Sequence, residues 1–245
     1  MPFDAESEAD ALSAALRRLA PGRVDPAPII RTALPFYGAP LGGMEALAKA
    51  WHKARPAAAP SGVLAVADAL WARAVREEMV LATMLAGHRR DVREAFGTRR
   101  IDRWGALLDN WELTDNLAAR VVGPWAASDP EARLGVLERL ASRRNPWLRR
   151  LGLVGCVYLG RRSDAAEWWP RVSALVLGRA GDRAAALPKA ISWVLREHTR
   201  HCPAEVSAFL DEHGPELPAI AVREARNKLA TGHKGGRRPV RPSPG

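Results

Sequence analysis

The stretch SDPEARLGVLERLASRRNPWLRRLGLVGC (128–156) decides how this chain folds, because it contains two helix starts of the same kind. SDP (128–130) and NP (145–146) each place a side chain that can cap a helix before a proline in the first turn. Ala, Leu, Arg and Glu, which all favour helix, dominate the residues between. The stretch therefore predicts two helices joined by a short turn, near 130–142 and 146–159.

The same pattern extends over the whole chain, in which alternating strand patterns are absent and Pro and Gly separate helical blocks. Helices are predicted near 5–20, 26–34, 41–55, 61–72, 75–88, 90–96, 100–109, 111–126, 130–142, 146–159, 164–179, 184–201, 203–213 and 217–230. Blocks recur roughly every three to four dozen residues, which is the spacing of HEAT-like repeats. We expect an all-α fold, a HEAT-like solenoid with a concave basic face for DNA, and the alternative is an irregular helical bundle.

The charge of the chain favours a polyanionic partner, since the net charge is +10 and the pI about 10.6. Four of the cations lie in GHKGGRRPVRPSPG (232–245), which leaves +6 (10 minus 4) for the rest. The cations are mostly Arg, which can also reflect genome base composition. We predict one helical domain over 1–230 and a disordered basic tail over 231–245.

Several classes of protein are not expected from this sequence. It has no run of about 18 apolar residues and no signal-peptide pattern, so no membrane contact and a cytoplasmic location are expected. His198, His201 and Cys202 lie close together but lack paired zinc-ligand spacing, so no metal is predicted. Cys156 lies in an apolar run and is expected to pack in the core. Motifs for phosphate loops, dinucleotides and serine nucleophiles are absent.

Trp111 and Asp115 in LLDNWELTDNL (107–117) are the first candidate site. Four residues apart, they share one face of a helix, while Leu113 and Leu117 lie on the opposite face and can hold the helix to a core. An aromatic plane beside a carboxylate suits the stabilisation of a cationic, sugar-like centre.

Each member of this pair also has a simpler interpretation. A tryptophan in a helix is usually a core residue, so Trp111 alone indicates little. Asp115 alone fits a surface carboxylate or a partner for a nearby Arg. Asp109 and Glu112 lie close by and are further candidate acids.

The segment ALPKAISWVLREHTR (186–200) carries Lys189, Trp193, Arg196 and Arg200 on one helical face. Its apolar stripe consists of Leu187, Ile191, Val194, Leu195 and His198. An aromatic flanked by cations is typical of a nucleic-acid surface. The alternative is that Trp193 packs on a neighbouring helix while the basic side chains extend past it to solvent.

NPWLRR (145–150) places Arg149 and Arg150 one turn into a helix. A helix N-terminus with nearby Arg residues favours a phosphate group. A solvated basic face is the alternative.

Four segments together resemble the AlkD-type DNA alkylation repair glycosylases, which are built from HEAT-like repeats. These segments are LPFYG (34–38), WELTD (111–115), NPWLRR (145–150) and KAISWVLRE (189–197), and the resemblance covers about residues 25–230. After LPFYG, relatives commonly carry a polar residue, Pro and basic residues, whereas this chain has GAPLGG (38–43).

The resemblance implies a monofunctional glycosylase that excises cationic N3- and N7-alkylpurines, with bulkier adducts as a further class, from duplex DNA without inserting the base into a pocket and without cofactor. The sequence shows no oligomerisation signal, so a monomer is expected. It implies that Trp111 and Trp193 pack on the deoxyribose, that Asp115 stabilises the oxocarbenium and places the water, and that Arg150 holds a phosphate. Arg149 and Lys189 are predicted to add DNA contacts. The alternatives are a catalytically silent DNA-binding protein for branched or bent DNA, and a protein scaffold whose basic charge is incidental.

Overall fold

The computed structural model describes residues 4–20 and 27–236, and over these ranges the chain is helical with no strand. Its helices are α1 (Ala5–Arg18), α2 (Ala27–Ile30), α3 (Leu41–Ala54), α4 (Pro60–Ala72), α5 (Arg76–His88), α6 (Arg90–Glu94), α7 (Gly97–Gly105), α8 (Trp111–Leu117), a π-helix (Ala118–Val122), α9 (Gly123–Ser128), α10 (Pro130–Ala141), α11 (Pro146–Gly155), a 3-10 helix (Cys156–Arg161), α12 (Ala165–Leu177), α13 (Pro188–His198), α14 (Pro203–His213), a second 3-10 helix (Gly214–Glu216) and α15 (Ala219–Thr231). The prediction of an all-α fold is confirmed.

The predicted helix starts at 130 and 146 are confirmed, together with their caps. The Asp129 carboxylate accepts a hydrogen bond from the Ala132 amide at 3.2 Å, and the Asn145 side chain accepts one from the Trp147 amide at 2.8 Å. Each cap satisfies one amide that the first helical turn leaves without a partner.

Several predicted helices differ in extent. The helices predicted near 100–109, 146–159 and 184–201 are Gly97–Gly105, Pro146–Gly155 and Pro188–His198 in the structure. Two further differences have a cause in the backbone. The helix predicted near 26–34 ends at Ile30, because Arg31 has a left-handed backbone with φ of 53°; residue 26 lies outside the described residues. The continuous helix predicted over 111–126 is interrupted by the π-helix, in which one extra residue widens the turn.

Contacts divide the chain into two compact units, Met1–Trp125 and Ala126–Gly245. In the first unit, α5 is the central helix, buried from Arg76 to Ala86, and it packs against α3, α4, α8 and the π-helix. Trp71 of α4 stacks on Trp104 of α7 with ring centroids 4.3 Å apart. The single domain over 1–230 stays a prediction.

In the second unit, α10 packs on α11, and α13 packs on α11 and α15. A Cβ at Gly152 would lie 2.5 Å from the Leu137 carbonyl oxygen, so only glycine allows α11 to approach α10 this closely. The predicted apolar stripe of α13 is confirmed: Leu187, Ile191, Val194, Leu195 and His198 are all fully buried. Cys156 and Cys202 are buried free thiols, and burial raises the pKa of Cys156 to about 12.

Residues 231–236 of the predicted tail are described: Thr231 is the last residue of α15, and residues 232–236 lie against that helix. Gly232 has a left-handed φ of 76° and its amide bonds to the Lys228 carbonyl, which ends the helix. The Asn227 side-chain amide then donates to the Lys234 carbonyl at 3.0 Å. Residues 237–245 of that predicted tail lie outside the described residues.

Candidate functional site

Trp111 and Asp115 lie on a helix that is fixed at its first turn. The buried Asn110 side chain caps α8 by accepting a hydrogen bond from the Leu113 amide at 3.0 Å. Leu113 is fully buried, as is Leu117, so this side of α8 faces the core as predicted. Trp111 is 39% exposed and Asp115 half-buried. Trp111 is therefore not a core residue.

The two neighbouring acids are bound to other parts of the first unit. Asp109 accepts hydrogen bonds from the Thr32 hydroxyl at 2.7 Å and from the Ala33 amide at 3.2 Å. Glu112 accepts two from the Arg76 guanidinium, at 2.7 Å from Nε and 2.6 Å from Nη2. Both carboxylates thus join the α8 region to neighbouring segments. The two-point pairing of Glu112 with the planar Arg76 guanidinium fixes orientation as well as distance.

Arg76 and the fully buried Glu77 extend this connection to the LPFYG segment. Arg76 Nη1 donates to Glu77 at 2.9 Å, and the Glu77 carboxylate accepts from the amides of Tyr37 and Gly38, both at 2.9 Å. Gly38 has a φ of 92°, a conformation that favours glycine. We call Arg76, Glu77 and Glu112 the clamp, because it ties residues 34–38 to α8.

Sequence reasoning missed Arg76 and Glu77 as residues that support the site. The signal that was available is REE at the start of the otherwise apolar helix REEMVLATMLAGH (76–88). Charged groups are rarely buried unless they are paired, so charges in a helix this apolar indicate buried partners elsewhere.

The π-helix follows α8 directly and lies against α5. A Cβ at Gly87 would lie 2.6 Å from the Arg120 carbonyl oxygen, so glycine is required there. The Arg120 guanidinium binds Asn116 at 2.9 Å and Glu45 at 2.8 Å, and this pairing lowers the pKa of Glu45. The C-terminal end of α8 is thereby fixed as firmly as its start, and π-helical turns frequently occur at functional sites.

In the second unit, both predicted arginines of α11 make internal bonds. Arg149 pairs with Asp182 at 2.7 Å and donates to the Arg144 carbonyl at 2.6 Å. Arg150 is only 6% exposed and donates to the Ala186 carbonyl. The two arginines therefore hold the segment that leads into α13.

The predicted basic face of α13 is built around the buried Glu224 of α15. Glu224 accepts hydrogen bonds from Lys189 at 2.9 Å and Ser192 at 2.5 Å, and Arg196 lies 3.4 Å away. Burial alone would raise the pKa of Glu224, but these three partners hold it below its usual range. Trp193 is half-buried and donates from Nε1 to Glu197 at 3.2 Å.

The structure thus brings Trp111 and Asp115 together on α8, and it joins Arg149 and Arg150 to the segment before α13. Over the ranges 4–20 and 27–236, no three His, Cys, Asp or Glu side chains form a group that could hold a metal ion. No helix in the described part is long and apolar enough to span a bilayer.

The DNA alkylation repair enzyme family matches this chain over residues 25–229. The chain therefore belongs to that family. A solved structure described as a predicted DNA alkylation repair enzyme from Enterococcus faecalis is similar, with a TM-score of 0.64 and 20% identity over 92% of this chain and 96% of the other. This likeness supports the helical-repeat fold. No curated protein sequence matches the chain.

Proposed function

We propose that this protein is a monofunctional DNA glycosylase of the AlkD type. Its substrates are cationic N3- and N7-alkylated purines in duplex DNA, with 3-methyladenine and 7-methylguanine as the simplest. The observation that carries this proposal is the exposed indole of Trp111 beside Asp115, on the face of α8 turned away from the core. Membership of the DNA alkylation repair enzyme family supports it.

The chemistry requires stabilisation of positive charge on the sugar. An alkylated purine is already cationic. When the bond from its nitrogen to C1′ breaks, the base keeps the electron pair and leaves as a neutral molecule. The deoxyribose becomes oxocarbenium-like, which a carboxylate and an aromatic face both stabilise. Water then adds to C1′ and loses a proton, for which Asp115 is the acceptor we propose.

We propose Asp115 as the acid among the three in this segment because it lies one helical turn after Trp111, on the same face of α8. Asp109 holds Thr32 and Ala33, and Glu112 is held by Arg76. Releasing Glu112 would leave the buried Arg76 guanidinium with unpaired donors, at a cost of about 1–3 kcal/mol for each donor.

Trp193 and the cations of the second unit are proposed to bind the substrate strand. Trp193 packs on the deoxyribose, and Arg149, Arg150 and Lys189 bind backbone phosphates. Lys189 is the readiest of the cations because its side chain is 58% exposed, so a phosphate can replace Glu224 as its partner. The protein acts as a monomer in the cytoplasm in this proposal.

The test is release of free base from methylated duplex DNA under single-turnover conditions. The variant Asp115→Asn keeps the size of the side chain and removes its charge. We expect a loss of roughly a hundredfold or more, the range found when a group that stabilises transition-state charge is removed. Asp10→Asn is the matched control, since Asp10 lies in the same unit with its side chain 74% exposed.

Two outcomes would contradict the proposal. If Asp115→Asn releases base as fast as the wild type, the carboxylate has no catalytic role. If the wild type binds DNA but releases no alkylated base, a silent DNA-binding protein replaces the glycosylase. Failure to bind DNA at any salt concentration would leave the protein-scaffold interpretation.

A further inference from the structure

Ile29 is the most exposed large hydrophobic residue in the described part of the chain, with 73% of its surface accessible. Its carbonyl oxygen accepts a hydrogen bond from Trp111 Nε1 at 3.4 Å. Two exposed apolar residues from distant parts of the sequence are therefore neighbours. The bond from the indole to the Ile29 backbone places the two residues side by side, and contiguous exposed apolar surface often marks a binding site.

The segment that carries Ile29 is fixed to the start of α8. Asp109, which comes two residues before Trp111, holds the Thr32 hydroxyl and the Ala33 amide. The Thr32 hydroxyl in turn accepts from the Leu34 amide at 3.1 Å. We call residues 29–33 the strap. Its bonds hold Ile29 at a set distance from Trp111.

Arg31, in the middle of the strap, adopts a backbone conformation that residues other than glycine rarely adopt. Its φ of 53° is left-handed, which is unfavourable for a residue other than glycine. The turn at Arg31 ends α2 and directs the chain towards Asp109. Strained backbone of this kind persists where surrounding bonds determine the conformation.

We propose that Ile29 is a further substrate-contacting residue, whose side chain continues the apolar surface of Trp111 and packs against the damaged nucleotide. This inference rests on the proposed function. A cationic base becomes neutral as its bond to the sugar breaks, and an aliphatic neighbour disfavours the charged form relative to the neutral one. Ile29 therefore both adds contact area and favours departure of the base.

The occupant follows from the surroundings of the patch. The Trp111–Asp115 face lies beside it, and a carboxylate there suits a ligand that carries positive charge where it meets the protein. An alkylated nucleotide combines a cationic centre with apolar alkyl and sugar groups. GAPLGG (38–43) lacks polar and basic side chains. An apolar contact from Ile29, which precedes LPFYG, is consistent with this apolar N-terminal region.

The experiment compares Ile29→Ala, Ile29→Val and Leu107→Ala. Leu107 is the matched control because it lies in the same unit and is 42% exposed. We expect Ile29→Ala to lower kcat/KM for base release about tenfold, the effect of losing one well-covered aliphatic contact. The kcat/KM of Ile29→Val should stay within about threefold of the wild-type value. The kcat/KM of Leu107→Ala should equal the wild-type value. The melting temperatures of all three should equal that of the wild type, since both sites are exposed.

A binding measurement separates failure of this inference from failure of the proposed function. Each variant is titrated with a duplex containing one tetrahydrofuran nucleotide, a stable abasic-site analogue, and with an unmodified duplex. Weaker binding of Ile29→Ala to the tetrahydrofuran duplex alone supports the contact, even if the wild type releases no base. Equal behaviour of Ile29→Ala and Leu107→Ala in release and binding overturns it. Equal weakening on both duplexes also overturns it. A wild type that sediments as a dimer, with Ile29→Ala as a monomer, overturns it too, because a second copy of the chain would then cover Ile29.

Discussion

In the first unit, Trp111 and Asp115 face away from the core while the charged residues around them are bound in place. In the second unit, the candidate cations are themselves the bound groups. Arg149 pairs with Asp182, and Lys189 bonds to Glu224. Ion pairs thus link the segments around α8 in the first unit, and in the second unit they include the candidate DNA-binding cations themselves.

This difference bears on how each unit meets DNA. Around α8, the clamp lets the candidate pair bind substrate with no bond of the clamp broken. Around α11 and α13, a phosphate has to compete with a carboxylate or a carbonyl already present. That exchange is easy for a cation near solvent and costly for a buried one, because the partner left behind is then unpaired. The exposure of each cation therefore ranks how readily it can exchange its partner for a phosphate, with Lys189 first and Arg150 last.

Removing the central cation of the clamp should have the largest effect. Arg76→Met leaves the carboxylates of Glu77 and Glu112 without their shared cation, and we expect the free energy of unfolding to fall by roughly 3–5 kcal/mol. Urea denaturation measures the loss. Arg103→Met is the control, since Arg103 also pairs with a carboxylate, Asp68 at 2.5 Å, but is 61% exposed. That variant should lose under about 1 kcal/mol, and equal losses would contradict a structural role for the clamp.

A buried histidine in each unit gives the next largest effect, through pH. Burial, with a smaller contribution from the charge of His88, lowers the pKa of His52 to about 4. The unfolded chain binds a proton near pH 6.5 and the folded chain only near 4, so stability falls as the pH drops through this interval. Between pH 7 and pH 4.5 we expect a loss of roughly 2–3 kcal/mol from this residue.

His52→Gln tests this expectation, because glutamine can still donate to the Leu85 carbonyl that His52 contacts at 3.1 Å. The variant should lose less stability than the wild type on acidification. Burial also lowers the pKa of His198 in the second unit, so His198→Gln should show the same sign. Parallel stability curves for wild type and His52→Gln would contradict this account, because they would mean that His52 has the same pKa in the folded and unfolded chains.

The residues that end α4 and α15 give a smaller effect, one in each unit. Ala74 and Gly232 both have left-handed backbones, with φ of 53° and 76°. Ala74→Gly should stabilise the protein by about 1 kcal/mol and Gly232→Ala should destabilise it by about the same amount. A Cβ at Gly232 would meet no atom within 4 Å, so the change reports backbone conformation alone. Thermal unfolding measures both, and shifts of the same sign would contradict this account.

Local signals in the sequence predicted most of the fold but little of the support around the site. Caps and prolines define helix starts because they act within one turn, as Asp129 and Asn145 show. The face of α8 followed from i, i+4 spacing. The pairing of Arg76 with Glu112 joins residues 36 positions apart, and no local pattern encodes it. The partner of Lys189 lies 35 positions away on α15, so the sequence showed a basic face but not its neutralising carboxylate.

The smallest expected effect distinguishes a DNA-binding role for the second unit from a structural one. Lys189→Gln removes one cation whose side chain is 58% exposed, while Ser192 and Arg196 stay with Glu224, so stability should change little. If Lys189 exchanges Glu224 for a phosphate, the slope of log affinity for duplex DNA against log salt concentration should become shallower by about 1. Between 50 and 200 mM salt this corresponds to about a fourfold difference in the loss of affinity.

Arg149→Gln provides the contrast, since Arg149 and its partner Asp182 are both largely buried, at 15% and 14% side-chain exposure. Arg149→Gln should mainly lower the free energy of unfolding, because Asp182 is left without its cation. The salt dependence of DNA affinity should change less. An unchanged slope in Lys189→Gln, with binding as tight as in the wild type, would mean that Lys189 stays with Glu224 when DNA binds. The cations of α13 would then serve the packing of α13 on α15, and Trp193 would meet the substrate strand without phosphate contacts from Lys189.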